Sequence, residues 1–216
     1  MKNANAPLSA DDAEDRRAQI IQAAAEAFMH QGYAATSIDD IAKSLGCTKG
    51  LIYYHFKNKS ELFFSIHRQI IDINLADARP FVTSTDSALD RLKGMAETRL
   101  YSIMDHLPFQ RVSLLGLEML VMRNTTPGDR MILDELRTMY DEYENMFVKV
   151  ISDGMKEGVF AKGNARMLSK PLLGTINWMI MWYRPRPGMR QSDKQQLCDM
   201  MTTFILRGLR DDREPG

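Results

Sequence analysis

Apolar residues recur at helical spacing along most of the chain, and this pattern restricts the fold more than any other feature. Between residues 89 and 107, for example, apolar side chains follow one another mostly at steps of three or four, as one face of an α-helix requires. No segment shows sustained alternation of apolar and polar residues, and no Asn-Gly or Asp-Gly turn lies between β-branched runs. The sequence therefore predicts an all-α protein with about nine helices.

Two of the predicted helices are short and lie between residues 36 and 62, separated by a glycine. The apolar face of the first consists of Ile38, Ile41, Ala42 and Leu45. We expect Thr36 to be its N-cap, Asp39 to complete a capping box, and Gly46 to end it in the left-handed conformation. Thr48 is then placed to cap the second helix. This arrangement is a helix-turn-helix.

The second short helix is predicted to present polar and aromatic groups to its surroundings. Leu51 and Ile52 can pack against the first helix, which leaves Lys49, Tyr53 and Tyr54 facing outward. Adjacent exposed tyrosines are unfavourable in water unless a partner binds them. A helix of this kind suits the major groove of DNA.

A further helix is predicted before this pair, from about residue 15 to residue 31, with Gly32 ending it. The polar residues that precede it, which include an acidic cluster, are expected to form a flexible extension. The sequence thus predicts three parts. These are a flexible extension (1–14), a helix-turn-helix domain (15–62) and a helical ligand-binding and dimerisation domain (63–216).

A longer ordered set of residues in this region resembles a known family. It comprises Gly32-Tyr33-Ala34-Ala35-Thr36-Ser37-Ile38, Asp40-Ile41-Ala42, Leu45-Gly46 and Lys49-Gly50-Leu51-Ile52-Tyr53-Tyr54-His55-Phe56-Lys57-Asn58-Lys59. The set resembles the N-terminal DNA-binding domain of TetR-family transcriptional regulators and covers roughly a quarter of the chain. The resemblance implies a homodimeric, all-helical repressor, not an enzyme, whose C-terminal domain holds a ligand.

The resemblance also implies roles for individual residues. Those in the major groove would be Thr48, Lys49, Gly50, Tyr53 and Tyr54. Further contacts, chiefly to phosphates, would come from Thr36, Ser37, His55 and Lys59. The alternative for each residue is an ordinary solvated helix face. The operator sequence does not follow, because tyrosine, threonine and lysine side chains suit many base edges.

The distribution of charge fits a DNA-binding module better than the total charge does. The chain carries 28 basic and 28 acidic residues, which argues against a general binder of polyanions. From residue 43 to residue 70, however, five lysines and arginines stand against Glu61 alone, whereas the first 42 residues have an acidic excess. Positive charge is thus concentrated on the predicted helix-turn-helix.

The last two predicted helices each carry a long apolar stripe. The stripes consist of Leu168, Pro171, Leu172, Thr175, Trp178, Met179 and Trp182, and of Leu197, Cys198, Met201, Phe204 and Ile205. Ser192 and Gln195 are expected to form the capping box of the final helix. In the TetR family these helices pair with their two-fold mates, which implies a homodimer and a palindromic operator. The alternative is that both stripes are ordinary core.

Methionine is abundant, with 16 in the chain, and many methionines accompany aromatic residues on the predicted C-terminal helices. Such side chains suit an adaptable apolar cavity, although an ordinary core is their more common role. The candidates for an effector site are Met104, Met119, Met122, Tyr143, Phe147, Trp178, Met181, Trp182 and Arg184. Because few charges fall inside the stripes, we expect an effector with a bulky apolar part whose polar group is met at the rim.

One segment narrows the choice of effector. Asn177-Trp178, Trp182-Tyr183-Arg184-Pro185, Gly188 and Ser192 together resemble a TetR subgroup that responds to acyl-coenzyme A thioesters in fatty-acid and steroid degradation. The resemblance places Trp178 at the acyl group and Arg184 and Arg186 near the coenzyme phosphates. The alternative is a turn with solvated arginines. Gly174 stands where some members have an arginine, which favours a straight or branched acyl chain over a steroid.

These observations predict a ligand-responsive repressor that binds a double-stranded DNA operator as a dimer and is released by an apolar effector, first of all an acyl-coenzyme A thioester. A multidrug-sensing repressor of an efflux pump is the alternative, because it would share every recognition residue. The chain begins without the apolar segment of a signal peptide, and no stretch approaches the length of a membrane span, so a cytoplasmic protein is expected. The two cysteines lack metal-ligand spacing, and no cofactor is predicted.

Overall fold

A computed structural model describes residues 10–121 and 127–210, with side chains described for residues 13–114 and 129–210. Within those ranges the chain forms nine helices and no strand, which confirms the predicted all-α fold. The helices are α1 (Ala10–Gln31), α2 (Ile38–Ser44), α3 (Lys49–His55), α4 (Lys59–Thr83), α5 (Ala88–Asp105), α6 (Leu107–Val121), α7 (Pro127–Glu157), α8 (Ala165–Trp182) and α9 (Gln191–Arg207). None of the described helices has the length and hydrophobicity that crossing a membrane requires.

The first three helices form a small unit around a shared apolar core. α1 contributes Ile20 and Phe28, α2 contributes Ile41 and α3 contributes Ile52, and all four side chains are fully buried. The ring of Tyr33, in the turn after α1, packs 5.3 Å from the Phe28 ring. Because α2 and α3 have only seven residues each, they depend on α1 and α4 for their position.

The caps of α2 and α3 differ from the sequence prediction. Ser37, not Thr36, is the N-cap of α2: its Oγ accepts from the Asp40 N–H at 3.2 Å, and the Asp40 carboxylate accepts from the Ser37 N–H at 3.0 Å. Hydrogen bonds from the Ser37 hydroxyl and N–H lower the pKa of Asp40. Thr48 is the N-cap of α3, but its side chain makes no capping bond. Gly46, between the helices, has the predicted left-handed conformation, with φ of 60°.

α1 begins earlier than the sequence predicted. It starts at Ala10 rather than near Asp15, so residues 10–14 of the predicted flexible extension are helical, and residues 1–9 lie outside the described part. Acidic side chains are favourable in the first turns of a helix, where they meet the positive end of its dipole. The acidic cluster was therefore a helix-start signal rather than a sign of a flexible extension.

α4 joins the N-terminal unit to the rest of the chain. It begins at Lys59, after Asn58, whose side-chain oxygen accepts from the Glu61 N–H at 2.8 Å. Its buried side chains extend from Leu62 to Ala78, so α4 belongs to the cores of both parts. The helix crosses the domain boundary that the sequence placed after residue 62.

Helices α5 to α9 form the larger part of the molecule together with α4. α5 packs against α4, α7, α8 and α9, and α7 lies along both α4 and α5. α5 ends at Asp105, one residue before His106, and α6 begins at Leu107 with Pro108 in its first turn. The proline therefore starts the new helix, where its missing N–H is not needed, and does not end the old one.

The last two helices contain the predicted apolar stripes, but the final helix lacks the predicted cap. α8 continues through Pro171, which lies in its second turn. α9 follows Arg190, whose N–H donates to the Asp193 carboxylate at 2.9 Å. Ser192 and Gln195 lie inside the helix, so the capping box predicted from them is wrong.

His67 is a buried titratable residue on α4, with 1% of its surface exposed. Burial lowers its pKa to about 4, although hydrogen bonding with the Phe63 backbone, where Nδ1 lies 2.9 Å from the carbonyl oxygen, offsets part of the effect. The imidazole is therefore neutral at neutral pH. It must take up a proton when the protein unfolds at mildly acidic pH.

We expect the free energy of unfolding to fall as the pH decreases from about 6.5 to about 4, because there the unfolded chain binds a proton that folded His67 does not. The loss between about pH 7 and about pH 5 should be about 2 kcal/mol. Urea unfolding at these pH values measures it. The glutamine in His67→Gln does not titrate, so the free energy of unfolding of this variant should depend less on pH. His55 is present in both proteins. An identical pH dependence in the two proteins would contradict this assignment.

Candidate DNA interface and effector site

α3 presents its polar and aromatic side chains to solvent, as the sequence predicted. Tyr53 and Tyr54 are 50% and 76% exposed, and Lys49 is exposed beside them. Ile52 is the buried residue of α3, while Leu51, which was expected to be buried with it, is only half-buried. α3 is thus attached to the core along a narrow apolar edge, and the rest of its surface is free to meet a partner.

The beginning of α3 lies close to the beginning of α2. Lys49 Nζ is 3.8 Å from the Asp39 carboxylate, and because both side chains are more than half exposed this ion pair is weak and exchangeable. A Cβ placed on Gly50 would meet no heavy atom closer than Thr48 Oγ1 at 3.7 Å. Packing within the protein therefore does not explain the glycine, whereas close approach of a partner to the backbone would.

Two residues predicted to contact phosphates have their side chains engaged inside the protein. Thr36 is 1% exposed, and its hydroxyl donates to the Gly32 carbonyl at 2.8 Å. Lys59 Nζ donates to the carbonyls of Tyr33 and Thr36 at 2.9 and 3.0 Å and lies over the Tyr33 ring. These bonds fix the turn before α2 against the start of α4. Both side chains are thus engaged within the protein, and their predicted phosphate contacts stay predictions.

His55 also turns away from the outer face of α3. It is half-buried and borders a groove between α1 and α4 that includes Arg17 and Ser65. Burial, followed by the charges of Arg17 and Arg16, lowers the pKa of His55, so its predicted attraction to phosphate is not supported. The exposed members of the predicted DNA-binding set are Ser37, Thr48, Lys49, Gly50, Tyr53 and Tyr54.

A row of exposed apolar side chains follows the outer face of α8 and α9. Trp178, Met181 and Trp182 on α8 are 64%, 47% and 44% exposed, and Met200 and Phe204 on α9 are 61% and 68% exposed. Phe204 borders a groove whose other wall, on α8, includes Pro171 and Thr175. We call this surface the α8–α9 face. Exposed large apolar side chains on two helices that pack together make this face a candidate interaction surface.

The stripes predicted on these two helices thus contain two different faces. Leu172 and Met179 on α8, with Cys198 and Ile205 on α9, are buried within the chain and belong to its core. Trp178, Trp182 and Phe204 are exposed. Leu168, Leu197 and Met201 are half-buried and pack against that core. The core alternative therefore holds for the four buried members, while an interface through the exposed members stays a prediction.

The residues predicted to line an effector site do not lie together. Met104, Tyr143 and Phe147 are buried, with the rings of Tyr143 and Phe147 5.3 Å apart. The exposed ones are Trp178, Met181, Trp182 and Arg184, while Met119 and Met122 lie outside the described side chains. Trp178 therefore does not line an internal cavity of one chain, because it projects away from the core that buries Ile176.

A cluster of buried polar side chains lies among α4, α5, α6 and α8, and the sequence analysis missed it. Arg99 is 7% exposed and is hydrogen-bonded to Asn74 and Asn177. It stands three residues after Ala96 and four before Ile103, on the inner face of α5. Polar groups therefore lie inside the helical domain as well as at its rim, and the position of an effector's polar group stays a prediction. The signal in the sequence was the charge of Arg99 within the apolar stripe of α5, which indicates a buried polar cluster.

Three arginines, Arg111, Arg184 and Arg186, lie near the C-terminal end of α8. Arg111 donates to the carbonyls of Ile180 and Tyr183, and Arg184 donates to the Tyr183 carbonyl at 2.8 Å, so both satisfy the end of the helix. Burial, and next the charge of Arg184, lowers the pKa of Arg111. Arg184 and Arg186 border a groove of about 570 Å³ that also includes Trp182, Met189 and Leu197.

The exposed recognition helix, its helical support and the larger helical domain behind it define a helix-turn-helix transcriptional regulator. Comparison with known families gives the same class. Residues 20–66 match the model of the bacterial regulatory proteins, tetR family, and residues 85–209 match the tetracyclin repressor-like C-terminal domain. The chain therefore belongs to the TetR family of transcriptional regulators.

Individual relatives extend over nearly the whole chain. The HTH-type transcriptional repressor KstR2 of Mycobacterium tuberculosis is 27% identical over 206 residues, which cover 93% of this chain and 96% of KstR2. The solved structure of that ketosteroid regulator has a TM-score of 0.78 at 25% identity, covering 91% and 96% of the two chains. AibR, solved with isovaleryl coenzyme A and operator DNA, shares the fold, with a TM-score of 0.71 at 21% identity over 88% of this chain and 98% of AibR. The relatives are regulators rather than enzymes.

Proposed function

We propose that this protein is a ligand-responsive transcriptional repressor that binds a palindromic operator as a homodimer and leaves it when an effector binds. The observation that carries the proposal is the exposure of α3, where Lys49, Tyr53 and Tyr54 project from a helix fixed by one buried edge. Gly50 adds a place where the backbone can approach DNA closely. We place the protein in the cytoplasm, where its operator would be accessible.

The proposed dimer forms through the α8–α9 face, which would leave solvent when two copies pair about a two-fold axis. Such a dimer presents two copies of α3 to two half-sites about one DNA turn, roughly 34 Å, apart. The operator would then be a palindrome, because the two-fold symmetry of the protein is repeated in the DNA. The basic excess around α3 supports binding to the phosphate backbone.

The proposed effector is an acyl-coenzyme A thioester. Arg184 and Arg186 at the groove after α8 suit the coenzyme phosphates, and the buried side chains of Met104 and Phe147 suit an apolar acyl chain. AibR, which has the same fold, was solved with such a thioester and operator DNA, which supports this choice. α4 would carry the response, since it belongs to both parts of the molecule. The effector must bind the released state more tightly than the DNA-bound state.

The proposal is tested by recovering genomic DNA fragments bound by the purified full-length protein. We expect a shared palindromic sequence, protected as two half-sites, and its release on adding decanoyl-coenzyme A. Fragments without a common symmetric sequence would contradict the proposed operator binding. Release by cationic dyes but not by acyl thioesters would instead support the alternative, a multidrug-sensing repressor, with the same DNA-binding surface.

A further inference from the structure

Arg99 connects three helices from the inside of the protein. Its Nη1 donates to Asn74 Oδ1 on α4 at 3.0 Å, and its Nη2 and Nε donate to Asn177 Oδ1 on α8 at 2.9 and 3.3 Å. All of these acceptors are neutral. A guanidinium has more N–H donors than these bonds use, so part of its capacity has no acceptor among the described residues.

Arg99 differs from the other buried arginine on the same helix. Arg91 is equally buried, at 7% exposed, but its Nη2 lies 3.2 Å from the Asp153 carboxylate and its Nε donates to the Phe81 carbonyl. No ion pair among the described residues includes Arg99. No described residue supplies a counter-charge to Arg99, and burying a charge without one is costly, so stability does not explain an arginine at this position.

Two further donors share one of the acceptors that Arg99 uses. Asn74 Oδ1 accepts not only from Arg99 but also from Ser102 Oγ at 2.9 Å and from Gln110 Nε2 at 3.5 Å. Tyr143 lies near enough to interact electrostatically with Arg99, and burial raises its pKa to about 12, so the phenol is neutral and adds no negative charge at neutral pH. The cluster of Asn74, Arg99, Ser102, Gln110 and Asn177 therefore has an excess of donors and of positive charge.

We propose that this cluster, the Arg99 site, binds the carboxylate of the effector. A carboxylate supplies the missing charge and two acceptor oxygens in the planar geometry that a guanidinium matches. A thioester carbonyl supplies an acceptor but no charge. The inference rests on the proposed function and narrows its ligand: the inward end of the effector carries a free carboxylate, either of a fatty acid or of a dicarboxylic acid whose other end is esterified to coenzyme A.

The test uses full-length protein and four probes: decanoate, decanol, decanoyl-coenzyme A and the mono-coenzyme A thioester of decanedioic acid. Titration calorimetry and thermal shift measure binding to the wild type and to Arg99→Met. Decanoate and the mono-thioester carry a free carboxylate, and we expect both to bind the wild type at least about 10-fold more tightly than they bind Arg99→Met. Decanol should bind the two proteins with equal affinity. Comparison of decanoate with the mono-thioester identifies the source of the carboxylate.

Matched variants separate recognition from a structural role. Arg99→Met removes an unpaired buried charge but also its bonds to Asn74 and Asn177, and because these two effects oppose each other its melting temperature should change little. Arg91→Met breaks the pair with Asp153 and should lower the melting temperature more, without changing carboxylate affinity. Arg99→Lys keeps the positive charge but loses the planar guanidinium, so its affinity for a carboxylate should lie between those of the wild type and Arg99→Met. Equal carboxylate affinity in wild type and Arg99→Met would overturn the Arg99 site. Tighter binding of decanoyl-coenzyme A than of either carboxylate would also overturn it, while leaving the proposed function intact.

Discussion

Replacing Trp178 and Phe204 together by aspartate is expected to convert the proposed dimer into monomers and to reduce operator affinity at least about 100-fold. Both side chains lie on the α8–α9 face and are more than 60% exposed in the single chain, so the change should not disturb its core. Burying a side chain of this size contributes about 2 to 3 kcal/mol, and each occurs twice in a two-fold interface. Two aspartates per subunit would add charge repulsion to that loss.

Sedimentation velocity measures the oligomeric state, and fluorescence anisotropy with a two-half-site DNA measures affinity. Met131→Asp is the matched control, because Met131 is an equally exposed apolar residue, at 76%, but lies on α7. The control should remain dimeric and bind DNA normally. A double variant that sediments as a dimer would show that the α8–α9 face is not the interface.

Replacing Tyr53 by alanine is expected to weaken operator binding about 10-fold to 100-fold without changing stability. The ring is 50% exposed on α3, so its removal leaves no cavity in the N-terminal core. A side chain that contacts a base edge contributes about 1 to 3 kcal/mol to binding. Anisotropy titrations measure the affinity, and circular dichroism on heating shows whether the fold is retained.

Two companion variants define what Tyr53 contributes. Tyr53→Phe keeps the ring and loses the hydroxyl, so it separates ring contacts from hydrogen bonding. Lys49→Ala should weaken binding to all DNA sequences alike and reduce the salt dependence, as expected for a phosphate contact. If Tyr53→Ala bound the operator as tightly as wild type, α3 would have to be rejected as the recognition helix.

Local features of the N-terminal unit could be predicted because their signals lie within a few residues. Gly46 adopts the left-handed conformation that was predicted for the end of α2. The cap of α2 was placed one residue too early, since Thr36 and Ser37 are both suitable and only packing distinguishes them. The Thr36 hydroxyl donates to the Gly32 carbonyl inside the protein, and Ser37 is therefore the N-cap of α2.

The candidate sites were harder to predict, because a side chain's role depends on which way its helix faces. Lys59 is a plausible phosphate contact by sequence, yet it is bonded to two backbone carbonyls. Trp178 and Met179 are adjacent and both apolar, but one is 64% exposed and the other is buried. Periodicity identifies an apolar stripe without saying how much of it other helices of the same chain cover.

The amino-acid sequence by itself determined the helices, the glycine turn and the exposed aromatic recognition helix, since helical periodicity and capping act over a few neighbouring residues. Only the tertiary structure decided the rest. It separated core from outer face on α8 and α9 and turned His55 and Lys59 inward. It also brought Asn74, Arg99 and Asn177 together from three helices, because contacts between residues far apart in the chain exist only once the helices pack.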